Sequence, residues 1–313
     1  MQQPFPEFSE RAVVFPSSLV IRMKLLHYGL SLLFLSAACT RSNPAAVPSP
    51  DISQPLPAAT FPTTRSWTLT PNEEFNSYSS RAVTTLELQE TGNTVQDSFV
   101  VTLDFTVRIQ RDEDLSRVTG TLDRLHREPE VLPSPTELPV VMPFSFVGRV
   151  SSGGFTLDSA GGRATATVPD CENAGLNQMS IIQRNLALAP LTLATGTTWT
   201  DSSTVATCSG TIPVELTSIR TYTIAGEARG PGDISIAVDR SERIRAAGEG
   251  AQGQHRIGLQ ATGLGSARLF LDPASGLLKL AEGETRTTIT VHSSGRHQRF
   301  LQTVRERTTR TQQ

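Results

Sequence analysis

A regular alternation of apolar and polar side chains restricts the fold more than any other feature of this sequence. Every second residue from Phe99 to Ile109 is apolar, and the residues between them are mostly polar. Successive side chains of a β-strand point to opposite faces, so the pattern predicts a half-buried strand of about 12 residues. Residues 78–88 and 116–125 read as strands on either side, joined to it by short turns. Strands joined so closely must be antiparallel, so the three form a meander.

The rest of the chain also reads mainly as strands. They are predicted at 140–150, 155–158, 163–168, 200–207, 213–225, 234–247, 253–263, 265–271, 277–281, 285–293 and 296–307. Turns spaced by about 8–12 residues are typical of an all-β sandwich or barrel. One main helix is predicted at about 173–189, where apolar residues recur every three to four positions before Pro190. We expect a mainly β fold of long antiparallel strands, in a curved sheet or two half-barrels, with this one helix.

The segment Met23–Cys39 has the composition of an export signal. It begins with the charge of Lys24, continues with a largely apolar run from Leu25 to Leu35, and ends with the small residues 36–38. This run is shorter than the roughly 20 residues that a membrane-spanning helix needs. The signal peptide is therefore predicted at 23–38. Residues 1–22 precede it and are interpreted as a gene-model extension.

The end of this segment resembles the lipobox of bacterial lipoproteins. The run is Leu35-Ser36-Ala37-Ala38-Cys39. The resemblance implies cleavage before Cys39, a diacylglycerol on its sulfur and an acylated amine, and two or three acyl chains anchor a protein stably. In a Gram-negative host it also implies the outer membrane, facing the periplasm, because Thr40 stands where an Asp would retain a lipoprotein at the inner membrane. An ordinary cleavable signal with an incidental cysteine is the alternative.

A proline-rich segment separates the anchor from the rest of the chain. Residues 39–64 contain six prolines among Ser, Ala and Thr, with almost no charge. Such a composition cannot form a core and predicts a tether that is extended or disordered. The mainly β domain is expected at 65–309, followed by a tail at 310–313. A division of the domain into two similar halves, at about 65–170 and 195–309, is a second arrangement.

The charge of the chain gives no reason to expect nucleic acid as a partner. The sequence has 28 basic and 30 acidic residues. Removing residues 1–38 takes away three basic and two acidic residues, which leaves a net charge of −3. Proteins that bind nucleic acid need a strongly basic face.

Three cysteines are present, and Cys39 is assigned to the anchor. Cys171 and Cys208 then remain as a pair in an oxidising compartment, where disulfides form. A disulfide between them would close a loop of about 37 residues and contribute about 3–4 kcal/mol of stability. The two are not in a Cys-x-x-Cys arrangement, so neither metal binding nor redox catalysis is predicted for them.

The lipobox, the tether, the long Thr-rich strands and the turn at 196–199 after the helix together resemble envelope lipoproteins of the lipoprotein-carrier type. In that family a curved antiparallel sheet wraps over helices as an open half-barrel and leaves an apolar concavity for acyl chains. The resemblance covers about residues 67–308 and carries over no functional residue. We expect a ligand-binding concavity lined by the helix face and by Phe99, Phe105, Phe144 and Phe146.

No catalytic, nucleotide-binding or metal-binding motif is recognised in the sequence. The acidic run at 112–114 offers oxygen ligands for calcium, but a solvated hairpin turn is the favoured interpretation. His292 and His297 flank a turn and are predicted to face each other across two strands. A zinc site there would need further ligands that the neighbouring sequence lacks. We predict no metal and no cofactor.

Seven arginines on two predicted strands raise a choice between a basic binding face and an ordinary solvated sheet face. The first interpretation would suit phospholipid headgroups or cell-wall carboxylates, and the second is favoured. The seven are Arg240, Arg243, Arg245, Arg296, Arg299, Arg305 and Arg307.

The expected function is binding and not catalysis. The features above predict a non-enzymatic, membrane-anchored envelope lipoprotein that binds an apolar or amphipathic ligand, or a partner protein, on its sheet. One alternative is a structural or assembly lipoprotein that docks through an exposed strand edge. Another is a hydrolase with an unrecognised site. The expected partners are a membrane, through the lipid anchor, and a lipid or an envelope protein.

Overall fold

Antiparallel strands make up nearly all of the structure, a computed structural model that describes residues 58–59, 65–70, 73–90, 93–111, 116–129, 142–151, 154–161, 163–164, 186, 189–209, 212–230, 233–252, 255–293 and 295–311. The strands are β1 (Ala58–Ala59), β2 (Ser66–Thr68), β3 (Asn76–Glu90), β4 (Asn93–Arg111), β5 (Ser116–Glu128), β6 (Phe144–Ser151), β7 (Gly154–Ala160), β8 (Arg163–Ala164), β9 (Thr192–Ala194), β10 (Thr198–Ser209), β11 (Ile212–Gly230), β12 (Asp233–Gln252), β13 (His255–Leu271), β14 (Leu278–Ser293) and β15 (Arg296–Thr311). No helix occurs among these described residues. The helix predicted at 173–189 lies outside them, apart from Leu186 and Ala189, and stays a prediction.

Thirteen of the strands form one sheet. Their order is β1, β11, β12, β13, β14, β15, β3, β4, β5, β6, β7 and β8, and β10 also pairs with β11. The last strand, β15, pairs with β3 from Phe300 opposite Leu88 to Thr311 opposite Ser77, which joins the two halves of the chain. At the other side of this order β7 contacts β10. The sheet therefore curls into a nearly closed barrel, and the predicted antiparallel β architecture is confirmed as one curved sheet.

Most side chains that face the inside of the barrel are apolar, and most that face outward are polar. On β12 the inward residues Ile244 and Ala246 are buried, whereas Arg243 and Arg245 are exposed. The described outer wall carries mainly threonines and charged side chains, with a few exposed aliphatic residues.

A small second sheet covers one end of the barrel. β2 and β9 pair through Trp67 and Leu193. Both side chains are buried in a cluster with inward residues of β11, β12 and β13, which include Ile224, Ile236 and Leu271. The backbone N–H of Thr70 also donates to the carbonyl of Ala274, in the turn between β13 and β14, at 2.7 Å. This end of the barrel is therefore filled by the chain itself.

Two predicted breaks in strands are wrong. The chain does not interrupt at residue 264 or at 282–284, because β13 and β14 run through both positions. The glycines there face inward, where space is short. A Cβ on Gly265 would lie 2.7 Å from Oγ1 of Thr285, and one on Gly283 would lie 2.7 Å from Cβ of Ala267. These glycines permit close contact within a continuous sheet and do not end strands.

Candidate functional site

The four phenylalanines expected to line a concavity meet in one apolar cluster inside the barrel, here called the phenylalanine cluster (Phe99, Phe105, Phe144 and Phe146). Phe99, Phe105 and Phe146 are buried, and Phe144 is half-buried. A Cβ on Gly120 would lie 2.5 Å from Cζ of Phe146, so glycine on β5 lets this ring lie close to the strand. The structure thus brings the predicted residues together on one inner wall; whether they bind a ligand stays a prediction.

A cation lies beside this wall. A register shift in the β4–β5 pairing at Asp104 and Phe105 leaves Arg127 opposite Val101, a buried inner residue. The guanidinium carbon of Arg127 lies 4.7 Å from the centre of the Phe99 ring. Burial lowers the pKa of Arg127, and the charge of Asp97 partly offsets this. The buried Nε of Arg127 has no hydrogen-bond partner among the described residues. Arg127 therefore has hydrogen-bonding capacity left for an anionic group.

On the other side of the interior lies a polar layer formed by Asp201, Arg220, Tyr222, Arg240, Glu242 and Glu306, here called the interior charged layer. Arg220 donates to both oxygens of Asp201, from Nε at 2.6 Å and from Nη2 at 3.0 Å. Tyr222 also donates to Asp201, at 3.1 Å, and its ring stacks on Trp199 with centres 4.9 Å apart. Burial alone would lower the pKa of Arg220, but Tyr222 and Asp201 raise it overall, so the guanidinium stays charged.

Two further carboxylates belong to this layer. Ser218 donates to Oε1 of Glu242 at 2.6 Å, and Ser80 donates to Oε1 of Glu306 at 3.1 Å. A small cavity beside Arg240 and Glu306 has room for about one water molecule. It is lined by Arg240, Ala267, Ala281, Glu282, Gly283, Thr285, Val304 and Glu306. The interior is therefore amphipathic, with an aromatic wall on β4 to β6 and charges on β10 to β12 and β15.

Sequence reasoning missed these interior charges, although a signal for them exists. Ser218, Arg220 and Tyr222 stand at every second position between the buried Leu216 and Ile224. They therefore share the phase of the core residues on the same strand, which places them on the inner face. Arg127 has no such signal, because the irregularity in the β4–β5 pairing alters which face its part of β5 presents.

The predicted histidine pair is confirmed as a cross-strand pair. His292 and His297 occupy opposite positions on β14 and β15, and their Nδ1 atoms lie 2.5 Å apart on the outer face. Within the described part of the chain, no three His, Cys, Asp or Glu residues come together in a way that could hold a metal ion. The acidic run at 112–114 lies outside the described residues.

The seven arginines do not form one face. Arg240 points into the barrel and is buried, whereas Arg243 and Arg245 on the same strand are exposed. The other four belong to β15, which is separated from β12 by β13 and β14, although Arg299 and Arg305 share the outer face of the sheet with Arg243 and Arg245. A basic face of all seven on adjacent strands, the less favoured of the two interpretations, is therefore wrong in its composition.

The anchor and the disulfide lie largely beyond what the structure describes. Cys39 and Cys171 fall outside the described residues, and only the backbone of Cys208 is described, paired with Pro213. Lipidation at Cys39 and the Cys171–Cys208 bond therefore stay predictions. Among the described residues, no helix is long and apolar enough to cross a bilayer.

Comparisons with protein families, curated proteins and solved structures identify no family for this chain. No protein-family model matches the chain, and no curated protein matches it significantly. One solved structure that aligns with it is OccK2 (OpdF) of Pseudomonas aeruginosa in complex with glucuronate. The alignment covers 79% of this chain and 100% of that one at 7% identity, with a TM-score of 0.23. A likeness at that score supports no inference about this chain.

Proposed function

We propose that the chain is a lipid-anchored, non-enzymatic envelope protein whose barrel binds an amphipathic molecule with an anionic head. The observation that carries the proposal is the position of Arg127 against Phe99, at the edge of the phenylalanine cluster. An acyl chain would lie along the aromatic wall, while its head would accept hydrogen bonds from the guanidinium. Hydrogen bonds to charged groups contribute more than neutral ones, about 1.5–3 kcal/mol each.

The size of the barrel supports an occupied interior. Eleven strands, β3 to β7 and β10 to β15, form its wall. A barrel of about eight strands is just wide enough for its own side chains to fill. The diameter of a barrel grows with its strand number, and the combination of a polar exterior with an apolar interior favours a binding protein over a membrane channel.

The head-group part of the proposal is tested by titrating the mature chain with a fluorescent fatty acid and, separately, with its methyl ester. Arg127→Gln should weaken binding of the acid by about tenfold, the effect of one charge-assisted hydrogen bond, and leave the ester nearly unchanged. Arg117→Gln is the matched control, because Arg117 lies on the same strand but faces outward. Equal affinities of Arg127→Gln and the parent for the acid would contradict the proposed head-group contact.

The apolar part is tested with the same two probes. Phe144→Ala should weaken both, because the half-buried Phe144 ring offers contact area to an acyl chain. Phe75→Ala is the control, since Phe75 is exposed outside the phenylalanine cluster. Absence of saturable binding by the parent chain would refute the ligand altogether.

The anchor is tested separately in cells that are fed a labelled fatty acid. The parent protein should take up the label and fractionate with membranes, whereas Cys39→Ala should do neither. Labelling of Cys39→Ala equal to that of the parent would remove the anchor from the proposal without touching the barrel.

A further inference from the structure

The outer face of β11 to β15 carries a regular basic and aliphatic surface. Cross-strand register places outward side chains in rows that run across these five strands. One row is Ile219, Arg243, Leu264, Arg286 and Thr303, and the next is Thr217, Arg245, Thr262, Thr288 and Leu301. These two rows contain three arginines, three aliphatic residues and no acidic residue. The ten residues are here called the outer patch.

The charge of the outer patch differs from that of the whole chain. The rows on either side add Arg299 and Arg305 as cations and Glu215 and Glu284 as anions. The four rows together therefore have a net charge of +3, on a chain whose overall charge is −2. Rows lie about 7 Å apart and strands about 5 Å apart, so this surface measures roughly 20 Å in each direction.

Its centre is both cationic and apolar. Leu264 is 67% exposed and Ile219 is 46% exposed. Arg243 lies directly between them, paired with Ile219 on one side and with Leu264 on the other. Neither Arg243 nor Arg245 forms an ion pair within the described part of the chain. Arg286, the third arginine of the outer patch, pairs with Glu284 at 2.7 Å. The exposed aliphatic side chains beside Arg243 and Arg245 match the two components of binding to an anionic membrane surface, apolar insertion and attraction of charge.

A short segment of the tether pairs with β11, the strand that also carries Ile219. β1 pairs Ala58 and Ala59 with Arg229 and Ala228, at one end of β11. Eighteen residues lie between Cys39 and Ala58. A flexible coil of that length spans about 20–25 Å, and Ile219 lies roughly 30 Å along β11 from Ala228. A chain anchored at Cys39 can therefore lay β11 to β13 against the bilayer that holds it.

We propose that the outer patch docks on the anionic lipid surface of the membrane that carries the anchor, so that the barrel lies on its side. This choice of occupant rests on the lipid anchor proposed above. It does not depend on a ligand inside the barrel, because the patch faces the opposite side of the sheet.

The test uses the mature chain, residues 39–313, with Cys39→Ala so that no lipid is attached. Vesicles of phosphatidylcholine and phosphatidylglycerol in equal parts should bind it at low salt, and binding should fall as salt rises, because salt screens exposed charges. Each arginine near an anionic surface strengthens binding by about fivefold, so R243E with R245E should weaken it at least tenfold. Leu264→Ser should also weaken it, by loss of an inserted side chain.

Matched controls lie elsewhere on the barrel. Arg117→Glu reverses an exposed outward arginine on β5, and Leu191→Ser removes an exposed leucine that directly precedes β9. Both should bind within about twofold of the parent, since Arg117 would lie too far from the bilayer for its charge to act and Leu191 would not insert into it. Equal binding by the double arginine variant and the parent, or no binding to these vesicles at low salt, would overturn the proposal. If R243E with R245E lost a cross-link to an envelope protein in cells but bound vesicles as the parent does, the outer patch would be a protein-binding surface. That result would equally overturn the proposal.

Discussion

Arg220 and Asp201 face each other across β10 and β11 and form a two-point ion pair in the barrel interior. The two Arg220 nitrogens lie 2.6 and 3.0 Å from the two carboxylate oxygens of Asp201. Arg220 is 1% exposed and Asp201 is 8% exposed, so both charged groups are shielded from solvent. Because β10 is paired with β11 near the seam of the barrel, this contact joins a strand at the edge to the rest of the sheet.

Removing one partner of this pair should be strongly destabilising. Asp201→Asn leaves a buried guanidinium without its counter-charge, which costs about 3–5 kcal/mol. Urea denaturation followed by circular dichroism measures the loss as a lower midpoint with an unchanged slope. The control Asp239→Asn removes an exposed partner of Arg268 and should cost no more than about 1 kcal/mol.

Removing both partners should cost less than removing one. The double variant Asp201→Leu with Arg220→Met replaces the pair by apolar side chains, so neither member of the pair is left as a buried charge without the other. If the single and double variants lost equal stability, the pair would not be coupled as the distances indicate.

The inward glycines of β13 should be sensitive to a single added methyl group in proportion to the space around them. Gly265→Ala places Cβ 2.7 Å from Oγ1 of Thr285 and 3.3 Å from Oε2 of Glu242, and should cost about 1–3 kcal/mol through overpacking. Gly258→Ala is the control on the same strand, because Gly258 faces outward and the nearest atom to its added Cβ would be Cβ of His292, 4.0 Å away. Comparable thermal midpoints for the two variants would show that the inner surface is not packed as described.

The turn between β13 and β14 should make the stability depend on pH through Asp272. Its Oδ1 accepts hydrogen bonds from the backbone N–H of Ala274 at 3.0 Å and of Ser275 at 2.9 Å. Burial would raise the pKa of Asp272, but these bonds and the charge of Lys279 lower it below its ordinary value of 3.8. A lowered folded-state pKa stabilises the native state above the ordinary value, and that contribution disappears as pH falls through the folded-state pKa.

Asp272→Asn should therefore destabilise the protein by about 1 kcal/mol at neutral pH and by less in acid. Urea midpoints at neutral pH and at about pH 3 measure the difference. Asp233→Asn serves as control, because Asp233 is an exposed partner of the same Lys279. If Asp272→Asn destabilised the protein equally at neutral pH and at about pH 3, the loss would not come from the charge of the Asp272 carboxylate.

The cysteine pairing can be checked by counting thiols in denatured mature protein from an oxidising compartment. With Cys39 acylated, Cys171 and Cys208 should yield no free thiol before reduction and two after it, and Cys171→Ser should yield one in both conditions. Two thiols in the unreduced parent would disprove the disulfide, and the barrel would then owe its stability to strand pairing and packing alone.

The sequence predicted the strands well because period two is a local signal. The alternation from Phe99 to Ile109 lies within β4, and the meander of β3, β4 and β5 is as expected. The long-range closure was beyond prediction, since the pairing of β15 with β3 joins residues more than 200 positions apart, and no local pattern records it. Gly265 and Gly283 misled the prediction because glycine reads as a turn locally, whereas here the tertiary contact requires it.

The site shows the same division. Phe99 and Phe146 were placed on one wall correctly, since both follow the alternation of their strands. Arg127 could not have been placed inside, because its face depends on an irregular pairing. Arg240 was grouped with Arg243 and Arg245, although its phase with Ile236 and Ile244 on β12 marks it as inward. The charge of Arg240 suggested a solvated position, but the two-residue alternation of β12 correctly indicates an inward one.

The most direct test of the central claim, that the barrel interior holds an amphipathic anion, is native mass spectrometry of the protein released gently from its own envelope. The folded parent should carry one additional lipid-sized molecule beyond its covalent acyl groups, and that molecule should be depleted in Arg127→Gln but retained in Arg117→Gln. A folded parent that shows only the mass of the acylated chain, with an interior empty of any ligand, would contradict the claim.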